Sequence, residues 1–287
     1  MNYKIVSDSS SNIFSMEGEN YATTPMKIIA EKEYVDAEGV DVTAMIEDLR
    51  VYKGKSGSSC PNVGEWLEAF ADADVVFGIT ISRHLSGSYN AACHAARTYM
   101  EEHPGRRAYI LDSMATGPAM AMYAEKILSL IRQGLEAHAI VEKVKEYQNY
   151  VHLLFCLESI NNLARNGRTS PAIAKIAGVL GIRMCGEAQD GKIALIAKPR
   201  GARKTIETMA RLIRERGVHT GSMVRIAHCL NLEGALELRD RLLEQVPGIK
   251  CIIEPCTALC SFYAEAGGLI VGFEGNFNTV NSNLGRD

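Results

Sequence analysis

The sequence predicts an α/β protein with two domains. Short apolar runs alternate with longer amphipathic segments, and this alternation is typical of strands connected by helices. Most runs in the first half are almost continuously apolar, as expected for a mainly parallel sheet that helices cover on both faces. The chain has 287 residues, and domains usually contain roughly 100–200 residues, so two domains fit this length.

Residues 1–156 are predicted to form the N-terminal domain. Between its strands, apolar side chains recur at helical spacing, for example Trp66, Leu67 and Phe70. The expected strands cover residues 4–7, 24–29, 75–81, 108–111 and 151–156. The expected helices cover residues 63–71, 89–100, 116–131 and 135–147.

Residues 157–287 are predicted to form the C-terminal α/β domain. A polar connection at 158–168 leads into it, and Asp190-Gly191 has the sequence of a tight hairpin turn. The expected helices cover residues 172–180, 202–216 and 233–245, and the expected strands cover 193–197, 223–227, 250–254 and 269–273. The tail at 275–287 is expected to be too polar to pack. We expect a ligand site at or near the interface between the two domains.

Composition excludes several classes of protein. The 31 basic and 34 acidic side chains give a net charge of −3 without any basic block, so we expect no nucleic-acid partner. No apolar run reaches the roughly 20 residues that span a bilayer, and the N-terminus does not resemble a signal peptide. The eight cysteines are scattered, which indicates reduced thiols in a cytoplasmic protein. Cys251, Cys256 and Cys260 lack a Cys-x-x-Cys pair and a neighbouring histidine, so we expect no metal site.

Two hydroxyl-rich loops are candidate ligand sites. Residues 7–12 follow the first strand, and ligands of open α/β sheets bind beyond the carboxyl ends of strands. Residues 56–62 end at a helix start near Pro61, where free N–H groups can hold an anion. Serine and asparagine are also common helix caps, so both loops have an equally simple structural interpretation.

The loop at residues 82–88 has the most site-like position, because it lies between a buried strand and a helix. Gly87 permits a tight turn, while Ser86 and Ser88 offer hydroxyl donors. The loop lacks the glycine spacing and the Gly-Lys-Ser/Thr sequence of a phosphate loop. Asp112, at the end of the next strand, could orient this loop by hydrogen bonding or could act as a cap. Arg168, on a turn, could meet a carboxylate, a phosphate or a partner, although a solvated arginine is the simpler interpretation.

A serine-dependent lipid ester hydrolase is the alternative from another class. Ser86 or Ser88 could be combined with His84 or His228 and an aspartate, but no Gly-x-Ser-x-Gly sequence is present. A nucleotide-dependent enzyme is disfavoured because Gly-x-Gly-x-x-Gly is absent.

The whole chain resembles the DegV family of fatty-acid-binding proteins, from Tyr3 to about Glu274. Three of the family's motifs are similar to Asp8-Ser9-Ser10-Ser11, to Ser58-Ser59-Cys60-Pro61 and to Ser82-Arg83-His84-Leu85-Ser86-Gly87-Ser88-Tyr89. The order and spacing of these motifs are more specific than any one of them.

Two further motifs extend the resemblance. Asp112-Ser113 matches the family's Asp-Ser pair, and Leu163-Ala164-Arg165-Asn166-Gly167-Arg168 matches a Leu-x-x-x-Gly-Arg stretch. The sequence departs from the family where many members have a histidine near the carboxylate and this chain has Tyr263. It also has Arg183-Met184 in place of Lys-Pro.

The resemblance implies a non-catalytic protein that encloses one long-chain fatty acid, such as palmitate, stearate or oleate, and needs no cofactor. Ser58 and Ser86 would bind the carboxylate, with Ser59, Gly87 and Ser88 shaping the loops. Tyr263 would donate a hydrogen bond, and Arg168 would lie at the pocket mouth, where it could meet a separate fatty acid kinase. Adaptable residues are expected to line a wall for the acyl chain, namely Met26, Met114, Met120, Met122 and the cysteines, although core packing is the alternative for any single one of them.

Overall fold

The computed structural model describes residues 1–16, 20–169 and 181–276. The strands are β1 (Tyr3–Asp8), β2 (Tyr21–Thr24), β3 (Lys27–Ile29), β4 (Glu33–Val35), β5 (Gly57–Ser59), β6 (Val75–Thr80), β7 (Arg107–Asp112), β8 (Val151–Leu157), β9 (Met184–Gln189), β10 (Lys192–Ala197), β11 (Met223–His228), β12 (Lys250–Pro255) and β13 (Leu269–Glu274). The helices are α1 (Val42–Val51), α2 (Val63–Phe70), α3 (Ser88–Glu102), α4 (Pro118–Arg132), α5 (Ala137–Tyr147), α6 (Asn161–Arg165), α7 (Ala202–Glu215), α8 (Leu232–Gln245) and α9 (Ala258–Ala264).

Two large sheets form the frame of the molecule, and the α/β class predicted from the sequence is confirmed. The first sheet has the order β2-β1-β6-β7 and is parallel throughout. The second has the order β10-β9-β8-β13-β11-β12 and is antiparallel except between β11 and β12. A small antiparallel sheet, β4-β3-β5, lies beside them.

Helix α4 lies between the two large sheets and contacts strands of both. Its residues from Pro118 to Ala124 are all buried, as expected for a helix that is covered on every side. A Cβ at Gly272 on β13 would lie 2.6 Å from the backbone nitrogen of Ala119, so glycine is required where α4 approaches the sheet most closely. Helices α2 and α3 cover the outer face of the first sheet, and α7 and α8 cover that of the second.

Several elements differ from the expectations. The strand expected at 24–29 divides into β2 and β3, because Pro25 has no N–H for a sheet ladder and the chain moves to another sheet. The predicted hairpin turn is confirmed: Asp190 and Gly191 have φ angles of 49° and 73°, both positive as a type I′ turn requires. The polar connection contains the short helix α6.

Near the proposed domain boundary at residue 156, β8 pairs with β9 and β13. The strands of the second sheet therefore begin at Val151, and the boundary itself stays a prediction. The helix expected at 172–180 lies outside the described residues, as does most of the polar tail. The start of that tail is packed, contrary to expectation, since the amides of Gly275 and Asn276 each donate a 2.9 Å hydrogen bond to a backbone carbonyl.

Candidate functional site: an apolar cavity with a polar end

A cavity lies between the two large sheets and the small sheet. The empty space between its walls is about 880 Å³, including space open to solvent. The walls are mainly apolar and come from both halves of the chain. The apolar lining residues are Met26, Ile81, Leu85, Met114, Ala115, Leu153, Phe155, Leu157, Leu163, Ala188, Ile193, Leu259, Cys260, Ala264 and Ile270.

The polar groups at one end of the cavity come from four separate segments. Ser58 is the middle residue of β5, Tyr263 lies on α9, and Ser86 belongs to the loop before α3. The hydroxyls of Ser58 and Tyr263 are 2.7 Å apart and share a hydrogen bond. Arg168 follows α6, with its guanidinium carbon 6.0 Å from the centroid of the Tyr263 ring. The cavity therefore has a cluster of hydroxyl donors and one cation at this end.

Arg168 has no carboxylate partner among the described residues. Its side chain donates to the carbonyl of Leu85, at 3.1 Å, and to that of Asn166. Glu187, the acidic residue of the cavity lining, is already paired with Arg216 at 2.9 Å. A half-buried guanidinium that contacts only neutral acceptors leaves the cavity with an uncompensated positive charge.

The loop that carries Ser86 is held from two sides. Asp112 accepts a 3.2 Å hydrogen bond from the backbone N–H of Arg83 and forms an ion pair with its side chain, as the sequence suggested. On the other side, the hydroxyl of Ser82 donates to the carbonyl of Gly191 at the hairpin tip, at 2.6 Å. These bonds fix the loop between β7 and the second sheet, so the position of Ser86 depends on both halves of the molecule.

The first hydroxyl-rich run has a structural role. Asp8 is fully buried and accepts hydrogen bonds from the Ile81 amide, at 3.0 Å, from the Ser88 hydroxyl, at 2.6 Å, and from the Ser10 hydroxyl. Burial raises the pKa of the Asp8 carboxyl, and these hydrogen bonds oppose the rise. This run links β1 to the loop at 82–88 but does not line the cavity.

The predicted site residues fall into two groups. Ser58, Ser86, Tyr263 and Arg168 come together in the cavity lining. Ser59, Gly87 and Ser88 do not line it: Ser59 is the end of β5, Gly87 is exposed, and the hydroxyl of Ser88 is bound to Asp8.

The methionine wall is only partly as expected. Met26 and Met114 line the cavity, whereas Met120 and Met122 are buried in the core. The sequence analysis missed Thr116 and the β8 residues Leu153, Phe155 and Leu157. The alternation of those three along one strand face was the available signal, but in a wholly apolar strand nothing marks the face that meets a cavity.

The hydrolase arrangement is not present in the described part of the chain. No histidine lines the cavity. The ring of His228 accepts from the amide of Asn231, and the Ser86 hydroxyl accepts from the amide of Ser88 at 3.3 Å. A serine nucleophile needs an adjacent base to remove its proton. Among the described residues no histidine is bonded to the hydroxyl of Ser86 or Ser88, and the Asp8 carboxylate that binds Ser88 is buried outside the cavity.

Two further features are absent from the described residues. No group of three His, Cys, Asp or Glu side chains is placed to hold a metal ion. None of the helices there is long and apolar enough to cross a membrane.

Comparison with known proteins decides the family. Residues 2–275 match the family model described as "Uncharacterised protein, DegV family". The chain belongs to the DegV family. A DegV domain-containing protein of Streptococcus pneumoniae is 34% identical over 280 residues, which cover 96% of this chain and 99% of the relative.

Two solved DegV-type structures are closely similar. One is a DegV family protein from Eubacterium eligens loaded with heptadecanoic acid, with a TM-score of 0.92 and 33% identity over 96% of this chain and all of that chain. The other is the Streptococcus pneumoniae Fatty Acid Kinase (Fak) B3 protein loaded with linoleic acid, with a TM-score of 0.93 and 34% identity over the same shares. Both ligands are long-chain carboxylic acids.

Proposed function

We propose that this protein binds one long-chain fatty acid and carries it, without catalysing a reaction itself, to a separate fatty acid kinase in the cytoplasm. The acyl chain occupies the apolar cavity, and the carboxylate lies at Ser58, Ser86 and Tyr263, with Arg168 as its counter-ion. The observation that carries the proposal is the unpaired Arg168 among hydroxyl donors at the end of an apolar cavity. The ligands of the two similar structures support the same class of molecule.

The energetics agree with this ligand class. Burial of each methylene contributes about 0.8 kcal/mol, so a long acyl chain gains on the order of 10 kcal/mol before the cost of ordering it. A hydrogen bond to a charged group contributes about 1.5–3 kcal/mol, and a carboxylate without such donors would be costly to bury. The head group therefore orients the ligand, while most of the affinity comes from the tail.

The positive charge at this end of the cavity comes from Arg168 and not from residue 263. Tyr263 replaces the histidine of many family members and contributes only a neutral hydroxyl. Arg168 was expected at the pocket mouth as a contact for the kinase, and we assign it a role toward the carboxylate as well. A guanidinium can bind a carboxylate through two parallel hydrogen bonds, so Arg168 supplies a positive charge where the side chain of residue 263 supplies none.

Replacement of Ser58 and Ser86 by alanine together tests the site. We expect the dissociation constant for palmitate to rise at least about tenfold, because each substitution removes a charge-assisted hydrogen bond of about 1.5–3 kcal/mol. Isothermal titration with delipidated protein measures this change. Ser129→Ala, an exposed serine on α4 outside the cavity, is the matched control and should bind as the unmodified protein does.

Native mass spectrometry of protein purified from bacteria supplies the second measurement. We expect one fatty acid per chain. Absence of any co-purified fatty acid, together with no binding of added palmitate or oleate, would refute the proposed function. An unchanged dissociation constant in the double variant would remove the two serines from the site and leave fatty-acid binding intact.

A further inference from the structure

A second concave surface lies beside the polar end of the cavity. We call it the α1–α6 groove; it is lined by Ile46, Arg50, Lys53, Asn161, Arg165 and Phe262, among others, and its volume is about 1260 Å³, including open solvent. Its floor is partly apolar, since Ile46 is half-buried and Phe262 is fully buried. Cationic side chains stand around this floor.

The basic and acidic side chains of the groove differ in the ion pairs and hydrogen bonds that they form. Within the described residues, the exposed side chains of Lys53 and Arg165 form no ion pair or hydrogen bond, and Arg50 has only a 3.7 Å contact with Glu47. Of the two carboxylates in the groove, Glu158 is paired with Arg183, whereas Glu265 accepts a 3.1 Å hydrogen bond from the neutral amide of Asn162 and keeps its charge. Lys53 and Arg165 together therefore outweigh one carboxylate that has no cationic partner among the described residues. The whole chain has a net charge of −3, so this cationic surface does not follow from overall composition.

The groove shares its structural elements with the polar end of the cavity. Helix α6 places Leu163 in the cavity and Arg165 in the groove. Helix α9 likewise places Tyr263 in the cavity and Phe262 in the groove. The segment that follows Lys53 leads into β5 and Ser58. A macromolecule seated in the groove is therefore one helix away from the hydroxyls that we assign to the carboxylate.

We propose that the α1–α6 groove is the docking surface for an acidic segment of the fatty acid kinase. The inference rests on the proposed function, since a kinase must reach the carboxylate at the polar end of the cavity. Free cations around a concave surface attract an acidic partner and raise its association rate, and the half-buried Ile46 and Leu49 supply apolar area that is covered on contact. The occupant is thus a protein segment with aspartate or glutamate side chains around an apolar residue.

Charge reversal in the groove tests the inference. The variant combines Lys53→Glu with Arg165→Glu. Its matched control combines Lys198→Glu with Lys250→Glu, two exposed lysines outside the groove for which the described residues provide no side-chain partner. The probe is the fatty acid kinase subunit of Streptococcus pneumoniae, and biolayer interferometry at low salt measures the affinity of each protein for it.

We expect the groove variant to bind the kinase at least about tenfold more weakly than the unmodified protein, mainly through slower association, and the difference to shrink at high salt. The control should bind within about twofold. Palmitate binding, measured separately, should be the same in all three proteins.

Three results would overturn the inference: no binding of the unmodified protein to the kinase, unchanged affinity in the groove variant, or an equal loss in the control. Loss of binding to vesicles of phosphatidylglycerol with unchanged kinase affinity would assign the groove to a membrane surface instead. A protein that docks through the groove but takes up no fatty acid would refute the proposed function alone.

Discussion

At the scale of single residues, Asp8 and Arg168 are two charged groups that differ in the hydrogen bonds they form. Asp8 receives hydrogen bonds from three different groups and serves the fold. Among the described residues, Arg168 donates only to backbone carbonyls, which supports its proposed role toward a ligand. A cation beside a cavity that meets only neutral acceptors is therefore more informative about function than a carboxylate whose hydrogen bonds hold the fold together.

Asp36 provides a residue-scale prediction. It is 1% exposed beside the start of α9, and burial raises its pKa from 3.8 to about 6. Because the folded state holds the proton more tightly, the contribution of Asp36 is complete below pH 3.8 and is lost as the pH rises through about 6. Relative to Asp36→Asn, the free energy of unfolding should therefore fall by up to about 3 kcal/mol over this interval.

Urea denaturation of the two proteins from pH 3.5 to 7 measures the difference, provided both remain folded. The comparison isolates Asp36 from the other carboxyl groups, which titrate alike in both proteins. A difference that stays constant with pH would show that the pKa of Asp36 is the same in the folded and unfolded protein and would refute the raised value.

At the scale of elements, the structure distinguishes serine-rich loops that face the cavity from those that serve the fold. The sequence left capping and ligand binding open for residues 56–62. The cap of α2 is Asn62, whose side chain accepts from the amide of Glu65 at 3.0 Å while the Glu65 carboxylate accepts from the Asn62 amide at 2.7 Å. Since asparagine caps the helix, Ser58 is left available for the cavity.

Asn62→Ala should lower the free energy of unfolding by about 1 kcal/mol, because the start of α2 loses its side-chain acceptor. Chemical denaturation followed by circular dichroism measures the loss. Glu68→Gln, an exposed change on the same helix, should have almost no effect. If Asn62→Ala were as stable as the unmodified protein, the reciprocal pair would not contribute to α2.

Strands and helices were predictable where their pattern was long and regular. The alternation of buried runs indicated β1, β6 and β7, and helical spacing indicated α2 to α5 and α7. Helices without a clear amphipathic pattern were not predicted: α1 buries only Met45, and α9 has no polar face to mark it as a helix. Tertiary contacts rather than local pattern stabilise such elements, so α9 and its Tyr263 could not be placed from sequence spacing.

At the scale of the whole molecule, the cavity joins two sheets that each have their own outer layer of helices. One apolar cluster runs from Ile5 on the first sheet through α4 to Ile270 on the second. A ligand that fills the cavity contacts both halves, so its binding energy adds to the stability of the complete fold.

Thermal unfolding should show this linkage. Palmitate at a concentration about 100-fold above its dissociation constant stabilises the folded protein by about 2.7 kcal/mol, which raises the midpoint by on the order of 5 °C for a chain of this size. Methyl palmitate retains the tail but not the charged head group and should give a smaller rise. Equal shifts for the acid and the ester would exclude a role for Arg168 as counter-ion.

The sequence by itself determined the α/β class, the hydroxyl loops and the order of the motifs, because strand and helix periods and turn residues are local properties of the chain. Tertiary contacts add which serines reach the cavity, that Arg168 has no carboxylate partner among the described residues, and that Tyr263 pairs with Ser58, which is 205 positions away. The physical reason is that a side chain's partners depend on packing between distant segments, and the sequence pattern of one segment carries no record of what lies opposite it.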